Sequence, residues 1–388
     1  MNKVTVKDLY KNSPHLLDYW NHGDSGSYEH FRYITDSEVR KTAHKVISAS
    51  QLDKQVQSIL NNENSFVQNR AICLDMSKKL NEIGQSRIAE KLKDDYAVGS
   101  YYVYEKGTKF FASFSSGERK LSPFAARYDQ KKKLEKLLFG IRSINEQNNN
   151  SVRWYLLTPT SKNFKLGDLE KGYKVMWESW NKFRRSVSMK NCIAASVKVE
   201  VTYNLVSESW NLHLHCLIAV SGNFNYGDIR DTWGDRVKSL GWVGSNIQID
   251  KVENSNIVGA VKEISKYITK FKVSESDSYA VSKGIKGVGI LDMPTQAFSE
   301  WFHCFRGKRT YRTYGDLYSI DYVEPLESDL GDLLAIFGVN ASKKYQIDVV
   351  LIQRHKSTDA LEKTLIRELE KLGTGHRMPK MTKNKYIH

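Results

Sequence analysis

The run Leu212-His213-Leu214-His215-Cys216-Leu217-Ile218-Ala219-Val220 constrains the fold more than any other stretch of the chain. It is strongly apolar and gains β-branched residues toward its end, so it reads as a central strand. Side chains alternate across a strand, which puts His213 and His215 on one side, roughly 7 Å apart along it. Two imidazoles so placed can share one metal ion. Alone, such a pair is more often hydrogen-bonded or simply at the surface, so its meaning depends on what accompanies it.

The neighbouring segments supply a sheet for that strand. Val152–Thr158 reads as a strand and 168–187 as a helix containing Trp177 and Trp180. Ile193–Tyr203 and Leu212–Val220 are two strands joined by Asn204–Asn211. A helix at 227–239, a short strand at 247–252 and a helix at 257–271 follow. This β-α-β-β-α-β-α order predicts an α+β fold, an antiparallel sheet with helices packed on one face.

Upstream, 72–94 reads as helical, with Met76, Leu80, Ile83, Ile88 and Leu92 as the buried stripe and a break at Gly84. Tyr101–Phe114 alternates like a hairpin that turns at Gly107. Ser122-Pro123 opens a basic helix running to about Leu138, with Pro where its missing N–H costs nothing. Asn145–Ser151 is a polar linker. The first 65 residues are polar, with one helix expected at 37–48.

Past a Ser/Gly/Lys-rich loop at 273–289, residues 296–306 read as a helix and Arg309–Tyr314 as a basic, aromatic stretch. Beyond Glu324 the chain turns acidic. Leu361, Leu365, Leu369 and Leu372 then stripe an amphipathic helix ended by Gly373, suited to self-association or to packing within the chain. The pattern divides the chain into an N-terminal extension (1–65), a helix-hairpin-helix region (66–150), a catalytic domain (151–325) and a C-terminal helical extension with a basic tail (326–388).

With a net charge of +15 spread over its 388 residues, the chain attracts phosphate backbones or anionic membranes. No apolar run approaches the ~20 residues of a membrane span, and no signal-peptide core opens the chain. Nucleic acid is therefore the expected partner. Cys73, Cys192, Cys216 and Cys304 are isolated, which argues against a disulfide framework or a tetrathiolate zinc site and fits a reducing cytoplasm.

Two further groups carry chemistry. In the helix Val258–Lys270, Glu263, Tyr267 and Lys270 share one face, while Ala260, Val261, Ile264 and Ile268 cover the opposite, core-facing side. A phenol helped toward its phenolate by a cation can attack phosphorus. On the strand before the histidines, Glu200, Thr202 and Asn204 share a face. If the two strands are neighbours, Glu200 completes a shell of two imidazoles and one carboxylate, which suits Mn²⁺ or Mg²⁺.

A strand ending in Leu157-Thr158, then His213-Leu214-His215 among apolar residues, then Glu263-x-x-x-Tyr267-x-x-Lys270 on a helix resembles the three-motif order of HUH endonucleases. More narrowly, it resembles the rolling-circle replication initiators of small bacterial plasmids. Tyr155-Leu156-Leu157-Thr158, Glu200-Val201-Thr202-Tyr203-Asn204 and Gly307-Lys308-Arg309-Thr310-Tyr311 look similar too, so the resemblance covers roughly residues 70–320. It departs in one place. Many members carry a Cys-x-x-Arg-x-Cys-Pro-x-Cys segment, whereas Phe114–Phe124 here holds no cysteine, so any zinc-dependent role of that segment should be absent.

The resemblance implies a site-specific nicking and joining enzyme. His213, His215 and Glu200 would hold the cation, Tyr267 would be the nucleophile, Lys270 would stabilise oxyanions, and Glu263 would act as general base for water at termination. Arg306, Lys308, Arg309 and Arg312, together with the basic helix 122–138, are candidate phosphate contacts. A host helicase and replication proteins would be partners. Two other readings stay open: an HUH relaxase or single-strand transposase with the same chemistry, or a non-enzymatic DNA-binding protein whose His-x-His is structural.

Overall fold

The structure, a computed structural model, describes residues 49–104, 107–112, 114–265, 271–272, 277–284, 286–322, 333–340 and 348–352. In chain order its elements are α1 (Ala49–Glu82), α2 (Ser86–Asp94), β1 (Val98–Tyr104), β2 (Gly107–Ala112), α3 (Pro123–Gln147), β3 (Arg153–Thr160), β4 (Phe164–Lys165), α4 (Leu169–Phe183), β5 (Cys192–Asn204), β6 (Ser209–Val220), α5 (Tyr226–Lys238), β7 (Asn246–Val252), α6 (Ile257–Ser265), α7 (Ser278–Ser282), α8 (Thr295–Phe305), β8 (Tyr311–Gly315), α9 (Asp316–Ser319), β9 (Leu333–Asn340) and β10 (Asp348–Ile352). They fall into two compact units, residues 1–125 with 325–388, and residues 126–324. The helices expected at 37–48 and ending at Gly373, and the residues Tyr267 and Lys270, lie outside the described residues.

In the first unit α1 ends where the sequence places the break. Gly84 adopts φ 74°. The Gln85 N–H donates to the Leu80 carbonyl at 2.8 Å and the Gly84 N–H to the Asn81 carbonyl at 3.0 Å, the closure of a helix that ends on a left-handed glycine. The buried Arg70 guanidinium donates to the Leu92, Lys93 and Asp95 carbonyls at the end of α2, satisfying acceptors that a helix C-terminus leaves orphaned. The hairpin β1–β2 forms as expected, but its sheet is larger, with the antiparallel order β10-β9-β1-β2. The described part of the region read as a helical C-terminal extension is thus strand. Short apolar runs such as Leu333–Val339 do not reveal their type by periodicity, and distant pairing (Val98 with Asn340) decides it.

The second unit holds the sheet predicted around the histidines. Its strand order is β7-β3-β6-β5-β8, with β4 also on β6, and every pair is antiparallel. The fold class is the expected α+β, with one correction: helices cover both faces of this sheet rather than one. The reason is β6 itself. Leu212, Leu214, Cys216, Ile218 and Val220 on one side and Leu217 and Ala219 on the other are all fully buried, so both sides need cover.

On the first side, α4 sets Trp177 under the Arg312 guanidinium (4.3 Å to the ring centroid) and Trp180 against Tyr314. The Glu300 carboxylate of α8 accepts the N–H groups of Gly167 and Leu169 at the start of α4, and also the Trp210 indole N–H of β6. One side chain thereby caps α4 and ties two helices to the central strand. On the second side, Leu137, Ile141 and Ile144 of α3 and Ala260, Val261 and Ile264 of α6 pack on Trp154, Leu217 and Ala219. This cover stops short of His213 and His215, whose side chains keep 17 % and 12 % of their surface exposed.

Candidate functional site

Register assembles the site. Strand β5 is the hydrogen-bonded neighbour of β6, with Glu200 opposite His213 and Lys198 opposite His215, and β3 places Thr160 on the other flank of His213. Cross-strand partners project to the same side, so these groups meet on one face. The imidazole centroids lie 4.8 Å apart at 80°. His215 Nε2 is 3.1 Å from Glu200 Oε2, and His213 Nε2 is 3.9 Å from Glu200 Oε1. The three residues each offer a ligand atom within 4.8 Å of the others.

Their electrostatics suit a cation. Burial works against the charge of Glu200, but the hydrogen bond with His215 and the Lys198 ammonium outweigh it and hold the carboxyl at about 2. Burial pushes His213 down to about 4; the Glu200 charge opposes this, while His215 and Lys198 reinforce it. An ionised carboxylate and a neutral imidazole are the forms that ligate metal. His215 Nδ1 is buried without a hydrogen-bond partner, so the protein satisfies that ring on one side only. Two nitrogens and a carboxylate fit a divalent metal that also accepts substrate oxygens, and the cluster can hold such an ion.

Of the helix residues expected near the site, Glu263 is described. It sits on α6, and its charge raises the basicity of His213, the smallest of the influences on that ring. Ala260, Val261 and Ile264 take the core-facing side, as their spacing predicts. The basic residues go elsewhere. Lys308 pairs with Glu170 at 3.0 Å and lies over the Tyr173 ring. The Arg309 carbonyl accepts from the Tyr173 hydroxyl at 2.7 Å. Arg306 is exposed beside Phe302, and Arg312 stacks on Trp177. Tyr173 and Trp177 belong to α4, so Lys308, Arg309 and Arg312 are gathered along it, on the side of the sheet away from the histidines.

Lys198 joins this cluster although no motif in the sequence singles it out. It is 3 % exposed, and its Nζ lies 3.2 Å from Glu200 Oε2. A signal existed: Ser196, Lys198, Glu200 and Thr202 alternate with Val197, Val199 and Val201, which marks a polar face along β5.

The fold and the cluster together define an α+β protein with a candidate divalent-metal centre on an antiparallel sheet. Residues 112–232 match the family model described as Replication protein. The match spans about a third of the chain, takes in Glu200, His213 and His215, and ends before α6. It supports a DNA-binding replication protein. No curated protein and no solved structure matches the chain.

Proposed function

We propose that the protein is a rolling-circle replication initiator of the HUH type, which nicks one strand of a plasmid origin and rejoins it after a round of synthesis. The observation that carries this reading is the convergence of Glu200, His213 and His215 on the sheet face that receives α6, the helix bearing Glu263. The match of residues 112–232 to a Replication protein family and the net charge of +15 support it.

Glu200, His213 and His215 would hold a divalent cation, Mn²⁺ or Mg²⁺, which would supply Lewis-acid polarisation of the scissile phosphate. Tyr267 attacks phosphorus in line. Its new P–O bond forms as the bond to the departing 3′ oxygen breaks, which leaves a 5′-phosphotyrosine and a 3′-OH that primes synthesis. One phosphodiester replaces another, so cleavage needs no nucleotide cofactor. Lys270 stabilises the phosphoryl oxyanions. Glu263 takes a proton from the water that releases the product at termination. Arg306, Lys308, Arg309 and Arg312 contact phosphates of the origin, and a host helicase and replication proteins extend the new strand.

The test is incubation with 3′-end-labelled single-stranded oligonucleotides from the origin of its replicon and Mn²⁺, resolved on a denaturing gel. A heat-stable labelled protein band is expected, lost with EDTA, with Tyr267→Phe and with His213→Ala combined with His215→Ala. Tight DNA binding with no such band would replace this reading with that of a non-enzymatic DNA-binding protein.

A further inference from the structure

Lys198 has no part in the chemistry proposed above, yet it is buried against it. It stands opposite His215 in the β5–β6 register, with its Nζ 3.2 Å from Glu200 Oε2. The same oxygen lies 3.1 Å from His215 Nε2. An ammonium so placed has two opposed effects on a metal centre: it anchors the carboxylate ligand, and it repels any second cation brought to that carboxylate. The repulsion is long-ranged and weakly screened where the groups are mostly buried.

We propose that Lys198 is a built-in counter-charge that keeps divalent-cation affinity low in DNA-free protein and makes the cation and a DNA phosphate bind together. This rests on the metal-site reading. The groups acting electrostatically on His213 are Glu200, His215, Lys198 and Glu263, with Glu263 the weakest. Lys198 balances the charge of Glu200, so a dication enters a site with little net negative charge to receive it. A phosphodiester brings a full negative charge to the same place. Its arrival favours the cation and, by linkage, the cation favours the phosphate to the same degree. Lys198 therefore confines a loaded, cleavage-competent site to protein that already holds a strand. It is a positioning and charge-setting residue rather than a catalytic one.

The test measures Mn²⁺ binding to the full chain, by calorimetry or by the electron paramagnetic resonance of free Mn²⁺. Lys198→Gln keeps a donor for Glu200 and removes the charge. It should bind Mn²⁺ tighter than wild type without DNA, by on the order of tenfold, whereas Lys198→Arg should behave as wild type. Adding a mixed-sequence single-stranded oligonucleotide should tighten Mn²⁺ binding to wild type, because the phosphate supplies the negative charge that Lys198 offsets. Should Lys198→Gln not fold, Lys198→Met fills the same buried volume and carries the same expectation. Unchanged or weaker Mn²⁺ binding in the uncharged variant, or no tightening of wild-type Mn²⁺ binding by the oligonucleotide, overturns the proposal. Failure of the metal reading itself has a different signature: wild type and His213→Ala with His215→Ala would bind Mn²⁺ alike.

Discussion

In the proposed mechanism Glu263 activates water and does not itself attack phosphorus. It lies on α6 near enough to His213 for its charge to be felt, but it is not among the three groups that converge within 4.8 Å. Under the proposed mechanism Glu263→Ala should leave strand cleavage and the covalent adduct intact. It should lose hydrolytic release, so adduct accumulates instead of turning over, by the ~10²-fold typical of removing a general base. A time course of adduct against free protein reads this out, and normal release by the variant would remove Glu263 from the role. The two histidines and Glu200 were legible as single residues because alternation along a strand is a local property. The same alternation puts Lys198 on the face of Glu200, but nothing local distinguishes a lysine held against a buried carboxylate from one reaching into solvent.

Elements hold these residues through the close fit of β8 on β5. Gly315 ends β8 opposite Ala194, just where the β5 register shifts between Cys192 and Ala194. Its φ of 59° belongs to the region that favours glycine, and a Cβ there would stand 2.0 Å from the Ile193 carbonyl oxygen. Gly315→Ala should therefore destabilise the second unit by about 2 kcal/mol or more, through backbone strain together with a main-chain clash. Denaturant unfolding checks this, and a midpoint equal to wild type would mean that the strand end shifts freely. At this scale the sequence served well for long periodic segments. The break at Gly84, the helix starting at Pro123 and the strands around the histidines all formed near their expected places. It served poorly for β9 and β10, whose short apolar runs become strands by pairing with β1 and with each other.

Across the whole molecule the thiols offer a view of how completely the cores close. Burial raises Cys73 and Cys192 to about 12 and pushes Cys216 upward as well, and Cys304 is buried. Because the thiolate is the reactive form, native protein at mildly alkaline pH should react only slowly with a chromogenic disulfide reagent, whereas denatured protein should release four equivalents quickly. Rapid native labelling would show that the cores open. The amino-acid sequence by itself determined the period of each segment, the shared side of His213 and His215, the helical face of Glu263 and the basic field over the chain, since these depend on neighbours a few residues away. Tertiary structure decided that β5 lies beside β6 in the register that sets Glu200 against His213 and Lys198 against His215, and that helices close both faces of the sheet. Those outcomes depend on pairing and burial between segments far apart in the chain, where the free energy lies in surface removed from water and not in any local pattern.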